Sequence, residues 1–343
     1  MKKLSFYILI TIVFIPFALS QGQATNTAVL CLKEQDFSAQ QNMIYSPAFR
    51  ASWTSLSQSV LKEAVLLKKP LALADDLNNA PYIPSDKSNW FIKSGFIEKG
   101  IIEEIKKETL SRFGIKAPGI DNMEGLKEGI LNYALFRYRS RFEKPFEELE
   151  WDFISGGKTS RVKCFGVSTG NEESRAAIRK QVSIYDYLHR DDFIIRIEGS
   201  SDNYELILAK VPPGKNVAEI VAEIDERMSD SFPDHLGSSD ELIIPKIIVS
   251  ADHCFGELHR RFLANKGFEE YFIARAEQIV DFSLDQEGAE ATVTGKLLLK
   301  KGPVPRIYAF DRPFFLLLRP RAAGNEPVLA MWIYDTEFLL DAG

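Results

Sequence analysis

Residues 281–340 read DFSLDQEGAEATVTGKLLLKKGPVPRIYAFDRPFFLLLRPRAAGNEPVLAMWIYDTEFLL, and three signals meet in them. Residues 281–286 alternate polar and apolar in the manner of a strand. A second period-two pattern then puts Ala289, Ala291, Val293, Gly295, Leu297 and Leu299 on one side, with Glu290, Thr292, Thr294, Lys296 and Lys300 on the other. Such a segment has one apolar face and needs a sheet to bury it. Pro303 and Pro305 follow, and because proline has no backbone donor the chain leaves any sheet there. Residues 314–318 and 328–334 are unbroken apolar runs of strand length, which predicts two strands buried on both faces, joined by a hairpin loop over 319–327.

Outward from that stretch, the 343 residues carry a formal charge of −6 with 45% apolar side chains, ordinary for a chain that buries a sizeable core. Acidic and basic residues are mixed along the chain, which gives no reason to invoke nucleic acid or a membrane as a partner. Lys2-Lys3, an apolar run over 7–19 and Ala18-Leu19-Ser20 read as a secretory leader over 1–20. The run is too short to anchor a mature chain, since a span needs roughly 18 or more apolar residues. No repeat, low-complexity tract or linker interrupts residues 21–343, so they read as one domain. Three cysteines, Cys31, Cys164 and Cys254, allow one bridge at most, so the fold must stand on its core. No N-x-Ser/Thr acceptor occurs, in keeping with a secreted or periplasmic bacterial protein.

The run 308–318, YAFDRPFFLLL, resembles the C-terminal signature of the serpins, and Glu287-Gly288-Ala289-Glu290-Ala291 resembles their reactive-loop hinge. In the serpin pattern the residue before the scissile bond lies fourteen after the hinge glycine and nine before the first residue of that motif. Counting from Gly288 and from Asp311 both lands on Gly302, so the loop has full length. Further resemblances lie in Asn42-Met43-Ile44-Tyr45-Ser46-Pro47, a strand leading into a helix over 48–60, and in Phe142-Glu143-Lys144-Pro145-Phe146 with the Gly156-Gly157 turn. Others cover a hairpin over 193–209, the Glu241–Lys246 strand and a helix over 255–264. Residues 25–31 read as a helix end, 61–74 as a helical stretch broken at Pro70, 97–113 and 217–228 as helices, and 89–93 as a strand.

The resemblance implies a mixed α+β fold, with a large central sheet, two smaller sheets and about seven peripheral helices. It also implies a secreted monomer that is not an enzyme, uses no cofactor or metal, and acts as a suicide inhibitor of a serine protease. The protease would cut near Lys300, Lys301, Gly302 and Pro303, and residues 289–299 would enter the central sheet as a new strand. A trypsin-like partner fits the lysines, with Lys301-Gly302 as the bond used because Pro303 makes the next bond a poor substrate. The alternative is a non-inhibitory binding protein of the same fold. It is favoured by Pro303, by Thr292 and Val293 where serpin hinges prefer Ala, and by the chain being several tens of residues short between Ser46 and Phe142. Part of that shortfall falls on 115–131, where Pro118, Gly119, Gly125 and Gly129 leave little room for the helix that normally crosses the sheet. Gln278 stands where the family's shutter has His, and Phe142 where it has Trp.

Other constellations reduce to ordinary structure. His253, Cys254 and His259 have loose metal-ligand spacing and no second pair. No G-x-S-x-G elbow supports a catalytic triad. Gly156-Gly157-Lys158-Thr159 lacks the first glycine of a phosphate loop. Arg137, Arg139 and Arg141 read as one solvated strand face.

Overall fold

The computed structural model describes residues 26–123, 125–168, 173–199, 203–286, 306–321 and 326–343. Its largest unit is an eight-stranded sheet in the spatial order β1 (Thr27–Leu30), β2 (Asn42–Tyr45), β16 (Leu329–Ile333), β15 (Phe314–Pro320), β9 (Tyr204–Lys210), β8 (Asp192–Ile197), β7 (Val182–His189) and β10 (Asp234–His235). The C-terminal pair lies at its middle: β15 and β16 are antiparallel with Phe314 opposite Ile333, and β9 flanks β15 on the other side. Every residue from Phe314 to Leu318 is buried, as the unbroken apolar run requires. On one face Ile194, Ile207, Phe315, Leu317 and Trp332 pack against Val217, Ile220 and Ile224 of α5 (Val217–Ser229). That helix starts where Asn216 accepts a hydrogen bond from the Glu219 N–H at 3.0 Å. On the other face Phe193, Ile195, Leu208, Phe314 and Leu316 join the main core.

A four-stranded sheet, β14 (Ile307–Ala309), β11 (Glu241–Pro245), β6 (Lys158–Val167) and β5 (Glu147–Ser155), closes over that core. Gly156 and Gly157, with φ of 55° and 76°, make the tight β5–β6 turn in the left-handed region that glycine adopts at no steric cost. Lys158 therefore opens a strand. Two separate two-stranded ladders complete the β-structure: β3 (Trp90–Phe96) with β4 (Ile130–Phe136), and β12 (Ile247–Cys254) with β13 (Glu277–Leu284). The other α-helices are α1 (Ala48–Ser55), α2 (Ala72–Asn79), α3 (Ile101–Phe113) and α4 (Glu173–Lys180).

The mixed α+β class with a large sheet and smaller ones holds. Several local expectations change. Five α-helices stand among the described residues, fewer than the seven expected. Residues 27–30 are a strand, not a helix end: β1 runs parallel to β2, and the chain turns at once because the Gln35 side chain accepts from Cys31 N and Leu32 N. The helix after Pro47 loosens at Ser55 into a π-helical turn, Leu56–Leu61, that stops at left-handed Lys62. The chain is irregular from there to Pro70, and helix resumes only at Ala72. The expected helix over 255–264 is a single 3-10 turn, Gly256–Leu258, ended by Arg260 at φ 58°. Arg137, Arg139 and Arg141 follow the end of β4 and are not part of it. All three cysteines are free thiols, with Cys31 and Cys164 buried. No helix of the described residues is long and apolar enough to cross a membrane.

Phe315 is 1% exposed and its ring lies 4.5 Å from that of Trp332, whereas Phe232 is 98% exposed. Phe315→Ala is expected to cost about 3–5 kcal/mol in urea unfolding, and Phe232→Ala under about 0.5 kcal/mol.

Candidate functional site

All the site residues expected from sequence, Glu287, Gly288, Ala289, Glu290 and Ala291 of the hinge and Lys300, Lys301, Gly302 and Pro303 of the bond region, lie outside the described residues. The structure describes instead what holds the two ends of 287–305. The N-terminal end continues from β13, whose Leu284 pairs with Ile247 of β12. The C-terminal end begins at Arg306 on the outer edge of the four-stranded sheet, so the segment joins two different sheets.

Arg306 is clamped by Asp240, which is 5% exposed. Asp240 Oδ1 accepts from the Arg306 backbone N–H at 3.0 Å, and its other oxygen accepts from Gly237 N at 2.9 Å and lies 3.4 Å from the Arg306 guanidinium. Five residues on, Asp311 explains its own motif. Its buried carboxylate accepts from Lys210 Nζ at 2.8 Å and from Arg190 at 2.6 Å, and Lys210 also donates to the Ala309 carbonyl at 2.9 Å. This ties the start of β15 to the end of β9. These bonds are short because both partners are ionised. Sequence reasoning missed Asp240; its signal was the Gly237-x-x-Asp240 turn before an apolar strand.

At the other end, α1 packs against β3, β4 and β13. Among the described residues β4 pairs only with β3, and β13 only with β12, so both strands that lie over α1 have an open edge. Residues 117–120 touch both ladders. The Pro118 carbonyl accepts from Tyr133 Oη of β4 at 3.3 Å, and a Cβ added at Gly119 would meet Ile279 of β13 at 3.0 Å. Gln278 is 3% exposed and bridges the layers beneath: its side chain accepts from Phe49 N at 3.3 Å and donates to the Leu30 carbonyl at 3.4 Å. It thus satisfies an orphan N–H in the first turn of α1. Ser46 is buried beside it and accepts from Ala48 N at 3.4 Å.

The remaining sequence candidates do not converge. The His253 ring meets Phe255 edge-on, His259 Nδ1 lies 2.9 Å from the Ala274 carbonyl, and Cys254 is exposed. Among the described residues no three His, Cys, Asp or Glu side chains form a metal-sized cluster.

This arrangement has solved counterparts. Human thyroxine-binding globulin, solved with its hormone, superposes with a TM-score of 0.51 at 12% identity, over 86% of this chain and 92% of that one. The fold is a serpin fold. A second structure, Serpin48, a highly specific serpin of the insect Tenebrio molitor, aligns with a TM-score of 0.46 at 12% identity and the same coverage. No family model and no curated protein sequence matches the chain.

Within this serpin fold, replacing Gln278 by Leu leaves the Phe49 N–H buried without a partner, while the Leu30 carbonyl keeps its bond from the Ser46 N–H at 3.2 Å. The expected loss is about 1–3 kcal/mol, read from chemical unfolding. Burial also pushes the Cys31 and Cys164 thiols up to about 12, so both stay protonated at pH 8. One equivalent of thiol, Cys254, is therefore expected to react with Ellman's reagent in the native protein at pH 8, and three after unfolding.

Proposed function

We propose that this chain is a secreted suicide inhibitor of a serine protease, with residues 1–20 removed as a leader and 21–343 acting as one monomeric domain. The observation that carries the reading is the pair of open-edged strands, β4 and β13, lying over one helix, with the segment from 287 following the end of β13 after two intervening residues. A segment entering beside β13 would run antiparallel to it and complete both ladders. At about 3.4 Å per residue the eleven residues 289–299 reach roughly 37 Å, longer than the eight-residue β13. The inward positions Ala289, Ala291, Val293, Gly295, Leu297 and Leu299 are all small or apolar. Burying about 300–500 Å² of such surface releases on the order of 10 kcal/mol.

In the chemical step the protease serine attacks the Lys301 carbonyl, the Lys301–Gly302 amide breaks, and the Gly302 amine leaves with its proton. The acyl-enzyme is then carried along as the strand enters. The chain turns nothing over and needs no cofactor. A binding-protein reading is supported by the thyroxine complex of a protein with the same fold, and by an open cleft of about 460 Å³ beside His189, Asp191, Lys210, Arg312 and Trp332.

Incubation with trypsin is expected to give an SDS-resistant adduct and a released C-terminal fragment beginning at Gly302. Cleavage within 287–305 should raise the melting temperature of the wild type. Ala289→Arg places an unpaired charge at the first inward position, a burial that costs several kcal/mol, so the variant should be cut without adduct and without that rise. A wild type that gains no stability on cleavage overturns insertion in favour of the binding-protein reading.

A further inference from the structure

Outside the named sheets, isolated bridges join residues 66–68 to 262–264, and 262–264 to the neighbouring segment 271–273. The Leu67–Leu263 and Phe262–Phe272 bridges are both antiparallel, with Lys68 N donating to the Phe262 carbonyl at 2.9 Å, Ala264 N to Leu66 at 2.7 Å, and Leu263 N to Tyr271 at 2.9 Å. Side chains alternate between the two faces. Leu263 is buried and Leu67, Tyr271 and Ile273 are half-buried against the cluster that contains Trp53, Val65 and Phe255. The other face has nothing over it among the described residues. It carries the row Lys68–Phe262–Phe272 with Leu66 beside it, and Leu66, Phe262 and Phe272 are 48, 45 and 49% exposed. The two rings lie 5.4 Å apart, and Lys68 Nζ sits 5.4 Å from the Phe262 centroid.

The charge around that face is one-sided. Residues 66–70 and 260–275 hold six basic side chains, Lys68, Lys69, Arg260, Arg261, Lys266 and Arg275, against two acidic ones, Glu269 and Glu270. Of the six, only Arg275 makes a salt bridge among the described residues, to Glu277 at 3.4 Å. Lys68 Nζ donates to the Glu269 carbonyl at 2.7 Å and Arg261 to the Glu257 carbonyl at 2.8 Å, bonds that leave their positive charge unneutralised. An exposed apolar patch beside an excess of cations has the chemistry of the headgroup boundary of an anionic bilayer, where rings enter the acyl region and Lys and Arg meet lipid phosphates. We propose that this face, centred on Phe262 and Phe272 and rimmed by Lys68, Lys69, Arg260 and Lys266, docks the protein on anionic lipid surfaces. The docking is peripheral and independent of loop insertion.

The test uses the exported chain and sedimentation with phosphatidylcholine vesicles, either pure or containing about one-third phosphatidylglycerol. Binding is expected to the anionic vesicles alone, and to weaken with added salt. The double variant Phe262→Ser/Phe272→Ser should lose it. Lys69→Gln/Arg260→Gln should weaken it about fivefold for each cation removed, with the melting temperature unchanged. The charge variant tests the same face without touching the rings, so it decides the matter if the serine variant is unstable. Three results overturn the proposal: no binding to anionic vesicles, binding that neither variant reduces, or capture by poly-glutamate with no binding to vesicles.

Discussion

A strand with no exposed side chain fixes this structure. From Phe314 to Leu318 every residue of β15 is buried, so both faces of the eight-stranded sheet must be covered. Residues on one side need α5, and those on the other need the four-stranded sheet with the two small ladders. The apolar area removed from water there is the main favourable term, at roughly 25 cal/mol per Å². The central position of a pair that is last in sequence also makes most of the fold's contacts long-range, because β2, β9 and β16 meet only once the C-terminus is in place.

Two polar devices then position what the apolar core cannot orient. Lys210 and Asp311 are 2% and 5% exposed and pair at 2.8 Å, with the Ala309 carbonyl and Asp191 completing the ammonium's bonds. Their attraction offsets a large desolvation cost because those further bonds are present, so the pair specifies register more than it adds stability. Asp240 does the same for Arg306. Between them these groups set where the chain re-enters the body after residue 305, while β13 sets where it leaves. The proposed inhibitory segment is thereby strung between two sheets that are anchored separately.

The open edges of β4 and β13 are costly for any protein that is secreted at high concentration, since unpaired edge strands recruit other chains. Residues 117–120 lie against both strands in place of the longer element that the serpin resemblance implies. Gly119 has φ +73°, a conformation L side chains rarely adopt, and a Cβ there would press on the Ile279 terminal methyl at 3.0 Å. The shortened connection therefore touches one side chain of each ladder, Tyr133 and Ile279, and leaves the backbone edges of β4 and β13 open.

What the sequence determined were the features whose causes are local. The double-sided burial of β15 and β16 was legible from unbroken apolar runs, the β5–β6 turn from Gly156-Gly157, and α5 as a helix over 217–228. The Asp311 motif and the resemblance it carries pointed to the fold, although not to the reason Asp311 is needed, because Lys210 lies on another strand. Only the tertiary structure decided that residues 27–30 pair with β2, that 262–264 bridge to 66–68 and 271–273, and that β12–β13 stands apart from the largest sheet. In each case the segment is short and its local preferences are weak, so a distant partner's backbone donors and apolar face outweigh them. The same holds for charge: a total of −6 is a sum over the chain, whereas the cations around Phe262 are gathered by folding from segments that the sequence keeps far apart.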